Sequence, residues 1–238
     1  MTLSVVYAIL FYAAALLFVV GVLRKIVIYA RTPAPLKIPT TPAPLTKAGV
    51  AWRMTKEVTV FQSLFKSNKW IWLFGWMFHL ALALVLLRHL RYFQQPVWTI
   101  IDLIQPFGKY AGFIMVIGLA GLWARRFLVD RVRYISSLSD HLMLALLIAI
   151  GLSGLSIKFL DHTNIIALKE FTLGLLYFDL HPLPADGLLL LHLSLVLTLM
   201  VVFPISKLLH APGLFFMPTR NQVDNPREVR HTAGWTAE

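Results

Sequence analysis

The chain has 238 residues, of which 58% are apolar and only 14% charged, and its formal net charge is +11. The hydrophobicity gathers in long blocks rather than at a helical or strand period, which excludes a soluble globular domain and fits an all-α integral membrane protein. Cysteine is absent, so a thiolate-held Fe–S cluster, a c-type haem attachment and a disulfide within the chain are excluded as well.

Five blocks reach membrane-spanning length, at about 3–23, 70–90, 108–124, 141–157 and 187–207, and predict a five-transmembrane-helix bundle. The first has neither a basic leading segment nor a small-residue cleavage site and reads as a retained span. The positive charge does not point to nucleic acid. With the amino terminus outside, the inner segments 24–69, 125–138 and 207–238 carry 9, 4 and 4 Lys/Arg, whereas the outer segments 88–109 and 158–186 carry 3 and 2. This bias sets orientation by the positive-inside rule and places the carboxyl terminus in the cytoplasm.

In chain order, the first span has no ionisable side chain and reads as a lipid-facing anchor. RTPAPLKIPTTPAP at 31–44 holds five prolines, which forbid a regular helix and favour a semi-rigid extended strap. In the segment after it, Val50, Met54, Val58, Phe61 and Phe65 fall on one helical stripe, with Arg53, Lys56 and Lys66 elsewhere. That pattern fits a basic amphipathic helix on the inner membrane surface or a docking platform for a cytoplasmic partner.

The second span opens with Trp70, Trp72 and Trp76 and carries His79 and His89; the fifth carries His192, with His210 just past its end. Ten residues between the first pair give about 15 Å of rise and an offset near 80°. Eighteen residues between the second pair are five whole turns, so on one continuous helix both rings leave the same face about 27 Å apart. Intramembrane histidine either serves a function or bonds a backbone carbonyl, and four in two spans favour the first.

The two spans run in opposite directions, which pairs His79 with His210 near the inner surface and His89 with His192 near the outer. Bis-imidazole ligation of haem iron fits, whereas zinc lacks carboxylate or thiolate partners. Tilt and inclined axial bonds must absorb the roughly 12 Å difference between the rises. The expected organisation is a first transmembrane helix at 1–24, a cytoplasmic Pro-rich strap and amphipathic helix at 25–69, a four-helix domain at 70–210 holding two haem b, and a cytoplasmic tail at 211–238.

Among the remaining candidates, Arg88 and Arg91 beside the outer pair and Lys207 at the inner side could hold haem propionates or anchor the spans at the interface. Gly112, Gly118 and Gly121 in the third span and Gly151, Ser153 and Gly154 in the fourth either let helices approach or leave room for a porphyrin. Ser139–Asp140 reads as a helix cap, with His141 expected to face solvent. No iron is assigned to His162, His181 or His231.

The spacing of the four histidines and LHLSLVLTLMVVFPISKLLHAPG resemble the gamma subunits of respiratory nitrate reductases, five-span dihaem cytochromes b. Those stretches, with KIPTTPAP, LFKSNKWIWLFGWMFH, FGKYAG and PTRNQVDNPRE, more closely resemble the M subunits of Dsr membrane complexes of sulfur-metabolising bacteria. The resemblance implies quinone chemistry, with menaquinone or ubiquinone, at the outer haem. It also implies electron exchange with a cytoplasmic Fe–S heterodisulfide-reductase-like subunit, beside other membrane and periplasmic redox subunits. It further implies a place in the bacterial cytoplasmic (inner) membrane and an eventual sulfur-carrying substrate. The insert at 31–69 departs from the nitrate reductase pattern and speaks against nitrate as that substrate.

Lys109 matches a quinone-site lysine of the nitrate reductase relatives, with Gly108 leaving room for a ring to approach. Lys109 and Arg125 are only about 22 Å apart along a helix, so snorkelling of one of them is the competing reading. Two alternatives to electron transfer stand at this point: a haem-free anchor whose histidines bond between helices, and a proton or ion relay through the histidines and Lys109.

Overall fold

A computed structural model describes residues 2–33 and 38–225 of the chain; His231 and the end of the tail lie outside them. The described residues contain helices and no strands. Backbone polar groups in hydrocarbon must be satisfied within the segment, and a helix does this residue by residue.

Among the described residues, five helical stretches are long and apolar enough to cross a membrane: Thr2–Arg31 (α1), Lys69–Tyr92, Thr99–Leu128 (α5), Leu138–Phe159 (α7) and Gly187–Ile205. The second is α4 (Lys69–His89) with a closing 3-10 turn, and the last is α9 (Gly187–Val202) with another. Between them lie α2 (Lys47–Val60), α3 (Gln62–Ser67), α6 (Asp130–Ile135) and α8 (Ile165–Tyr177), and α10 (His210–Gly213) follows α9.

The described residues pack as two units, 2–14 with 68–199, and 15–33 and 38–67 with 200–225. The first unit is built on the α4–α5 seam. Phe78 and Ala81 of α4 bury against Ala111, Met115 and Leu119 of α5, and Leu144, Leu147 and Ile148 of α7 close over them. Glycines set the spacing: a Cβ on Gly118 would meet the Phe74 carbonyl oxygen at 2.9 Å, and one on Gly112 would meet Leu155 at 2.9 Å. A second cluster joins Leu168 and Phe171 of α8 to Leu183 and Leu189, with Tyr7, Tyr92 and Leu193 around it. The start of α1 belongs here too: the Tyr7 hydroxyl bonds Ser194 Oγ (2.8 Å), and Ser4 Oγ accepts from the Leu183 amide (3.0 Å).

In the second unit the part of the strap at 38–44 is bonded to its surroundings. Thr40 N–H donates to the Thr219 carbonyl and Asp224 N–H to that of Pro44, both at 2.9 Å, and an Arg53 guanidinium nitrogen donates to Thr40 O at 2.9 Å. Burial first, and the nearby Arg220 second, lower the Arg53 pKa against the opposing pull of Glu57. Phe18 packs on Phe203 (5.1 Å between ring centres) and Tyr29 on Phe216 (6.1 Å).

The structure corrects several expectations. The stripe from Val50 to Phe65 is not one helix, because Phe61 takes a left-handed conformation (φ 51°) and parts α2 from α3. The third span begins at Thr99 rather than 108, with Pro106 inside it. The outer segment 158–186 contains α8, whose 13 apolar-rich residues are too few to span. The cap of α7 is Ser137, in a capping box with Asp140. His141 is half-buried and accepts a hydrogen bond from Trp123 Nε1 (3.0 Å) instead of facing solvent.

The fifth span is also not one helix through His210. Pro204 lacks the N–H that would continue the ladder, α9 gives way to a 3-10 turn at Phe203–Ile205, and Ser206 is extended (φ −102°, ψ 171°). The five-turn, same-face construction for His192 and His210 therefore lapses.

Because the atoms facing Gly118 are backbone, Gly118→Ala must push α4 and α5 apart. Thermal unfolding in detergent, followed by helical circular dichroism, should show a loss of about 1–3 kcal/mol. Gly187→Ala, with nothing within 4 Å of the added carbon, should be neutral in the same assay.

Candidate functional site

The rings of His89 and His192 come together in the first unit, their centroids 6.4 Å apart and their planes 17° from parallel. His89 sits at the last residue of α4 and His192 in the second turn of α9. Each ring is oriented through Nδ1. In His89 this nitrogen lies 2.7 Å from the Val85 carbonyl oxygen four residues back. A carbonyl only accepts, so Nδ1 carries the proton and Nε2 the lone pair. In His192 the partner is Ser153 Oγ of α7, at 2.9 Å. Ser153 has the Ile150 carbonyl at 3.1 Å for its own single proton, which leaves its oxygen to accept from Nδ1–H.

Two lone-pair nitrogens on neighbouring rings cannot hydrogen-bond each other; an electrophile between them would satisfy both. A metal bonded by both at about 2 Å, with each ring centre about 1.1 Å behind its nitrogen, requires centroids about 6.3 Å apart. The observed centroid separation of the two stacked rings, 6.4 Å, is of that size. Among the described residues no three His, Asp or Glu come together as a bare metal ion would need. Two imidazoles suit an iron whose other four ligands come from a macrocycle.

His79 shows the same device in α4, its Nδ1 2.7 Å from the Gly75 carbonyl oxygen, with Phe78 edge-on to the ring at 4.7 Å. His210 belongs to the second unit, where its Nδ1 lies 2.9 Å from the Lys207 carbonyl oxygen. Lys207 is exposed at the 3-10 turn before it.

Lys109 lies ten residues inside α5, its ammonium over the rings of Tyr110 (5.1 Å) and Phe159 (5.6 Å). Gly108 does not leave room for a ligand ring. An added Cβ would meet Arg88 Cβ at 2.8 Å and the Leu84 carbonyl oxygen at 3.0 Å, so its bare backbone receives the stem of Arg88 from α4. Arg91 donates to Gln105 Oε1 (3.2 Å) and stacks by Tyr92.

The glycines that could have admitted a porphyrin now divide. Gly112, Gly118, Gly121 and Gly151 face neighbouring helices, whereas Gly154 faces His192, whose Cε1 would lie 3.2 Å from an added Cβ. Ser153 as the partner of His192 was missed. A hydroxyl in the middle of an apolar span is visible in the sequence, but its helix-to-helix partner is not.

The start of α9 is fixed by Asp186, which accepts from the Leu188 amide (3.0 Å) and binds the Thr163 hydroxyl. The Thr163 bond first, joined by the Leu189 and Leu188 amides and a bond with Asp161, holds its carboxyl below the usual range against the opposing effect of burial.

These features define the class as an all-helical, multi-span membrane protein that sets paired, tautomer-fixed imidazoles between its helices. The chain belongs to the nitrate reductase gamma subunit family, whose model matches residues 44–231. Two archaeal proteins, each named Hdr-like menaquinol oxidoreductase cytochrome b-like subunit, are similar over 94% of this chain. That of Archaeoglobus fulgidus is 34% identical over 81% of its own length, and that of Archaeoglobus profundus 30% identical over 80%.

Since the folded pKa of Asp186 is depressed, its contribution is complete above the unfolded carboxylate value near 4 and is lost as pH falls through the lower folded value. Asp186→Asn keeps a capping oxygen without the charge. The wild-type advantage in thermal midpoint over this variant should be full at pH 6 and shrink steadily below about pH 4.

Proposed function

We propose that this chain carries electrons across the membrane between a quinone and a partner redox subunit, using two haem b, one held by His89 and His192 and one by His79 and His210. The observation that carries the reading is the His89–His192 pair, with its fitting separation and both Nδ1 atoms engaged. The second pair is proposed from the opposite run of the two histidine-bearing spans and from the matching Nδ1 bonds of His79 and His210. Both relatives are named cytochrome b-like subunits of menaquinol oxidoreductases, which supports menaquinone as the quinone.

Haem b held by two histidines supplies a one-electron carrier with no open coordination position for substrate. The protein's part is to fix and insulate it. Val85 and Ser153 lock the tautomers that offer Nε2, and Tyr92 packs beside the His89 ring with 5.9 Å between ring centres. Lys109 of α5, held over the rings of Tyr110 and of Phe159 from α7, is the donor proposed for a quinone carbonyl. Arg88, Arg91 and Lys207 remain candidates for the propionates.

The Hdr-like naming of the relatives supports a cytoplasmic Fe–S partner of the heterodisulfide-reductase type. The strap and tail motifs support the finer assignment to a Dsr-type sulfur-linked complex. The amino terminus is proposed outside and the tail cytoplasmic, on the charge bias alone. Since the relatives are archaeal, the location proposed is a cytoplasmic membrane without restriction to bacteria.

A redox-titrated absorption spectrum with a haem-to-protein ratio tests the reading. Two haems per chain are expected, and a purified chain without haem overturns it. His89→Ala and His192→Ala should each abolish the same spectral component and spare the other; loss of different components would break the pair. Lys109→Ala should slow quinol-driven reduction about 10- to 100-fold, the worth of one charge-assisted hydrogen bond, with the spectrum unchanged. Undiminished quinol kinetics would remove Lys109 from the site.

A further inference from the structure

The two rings of the outer pair are oriented differently, and the difference lies in what receives each Nδ1 proton. His89 uses a carbonyl of its own helix, Val85, so its support travels with the ligand. His192 uses a side chain 39 positions away, Ser153 of α7, at 2.9 Å, with the Ile150 carbonyl of the same helix beside it. Ser153 is only 7% exposed, in a span whose other middle positions are almost all apolar. Such a hydroxyl ordinarily satisfies itself on a carbonyl one turn back, and Ser153 does so at Ile150. The same oxygen then serves a second helix.

The depth of Ser153 is set by close packing on both sides. Gly151 brings α7 against Val116 and Met115 of α5, within 2.9 Å of an added Cβ, and Gly154 lies flush against the His192 ring. The hydroxyl and the bare glycine thus bound the imidazole, one at Nδ1 and one at Cε1.

We propose that Ser153 is a positioning residue for His192: it fixes the ring's tautomer and angle and, by accepting the Nδ1 proton, strengthens Nε2 as an electron donor to iron. This rests on the haem reading above. A hydroxyl that donates its own proton to Ile150 is a polarised and therefore better acceptor. A more donating axial ligand favours the ferric state and lowers the potential, so loss of the acceptor raises it.

The test is a redox titration of the purified complex, with low-spin ferric electron paramagnetic resonance as a second readout, on wild type, Ser153→Ala and Ser153→Thr. Alanine should raise the midpoint of one haem and shift its resonance, leaving the other haem where it was. An effect of about tenfold on the ferric-to-ferrous preference is expected, about 59 mV for one electron. Threonine, which keeps the hydroxyl, should hold the wild-type midpoint.

No movement in either readout with alanine overturns the proposal, as does an equal movement with alanine and threonine, which would make the effect one of packing. If the alanine variant does not accumulate, Ser153→Cys keeps the volume with only a weak acceptor. It should move the same midpoint upward, and an unmoved midpoint overturns the proposal. Wild type without haem is a different failure, since it removes the parent reading before Ser153 is examined.

Discussion

A histidine inside hydrocarbon has one N–H to satisfy and one lone pair to place, and the site rests on how this chain solves the first half of that problem. Water cannot take the proton, so a protein acceptor must. All four histidines of the two long spans and their continuation answer alike, with Nδ1 turned to Val85, Gly75, Lys207 or Ser153. Once Nδ1 holds the proton, Nε2 can only accept or ligate. The chemistry is selected by a bond on the far side of the ring.

The one of these bonds that crosses between helices, from His192 to Ser153, needs close packing, and glycine supplies it. α4 lies on α5 where Gly118 and Gly121 offer no side chain to Phe74 and Phe78, and Gly108 offers none to Arg88. Small residues do this work in membranes because lipid gives no hydrophobic drive for helices to associate, and close van der Waals contact must replace it. The same closeness carries α7, and with it Ser153, to the flank of His192.

The five spans were legible because an uncharged apolar run of about 20 residues matches the thickness of a bilayer and little else. The nearness of His89 and His192 was legible from helix direction, since two antiparallel spans leave little freedom in depth. Other features depended on partners distant in sequence. Nothing around His141 announces Trp123, and nothing around Gly108 announces Arg88. Nor could the apolar pattern reveal where α9 stops: Val202 through Ile205 is nearly as hydrophobic as what precedes it, and within it only Pro204 signals the change. The strap was readable as proline-stiffened, but its pairing with Thr219 and Asp224 joins segments about 180 positions apart.

The matched family segment begins at residue 44, after α1. Yet α1 is more than a tether to lipid. Near its start it gives hydroxyls to Ser194 and Leu175, and further along, Gly21 is so closely faced by Pro204 that an added Cβ would lie 2.6 Å from its ring. The bend that ends the last long helix is therefore splinted from outside by the first. A polypeptide begun at the matched segment would lack that splint and would leave its proline corner turned to lipid.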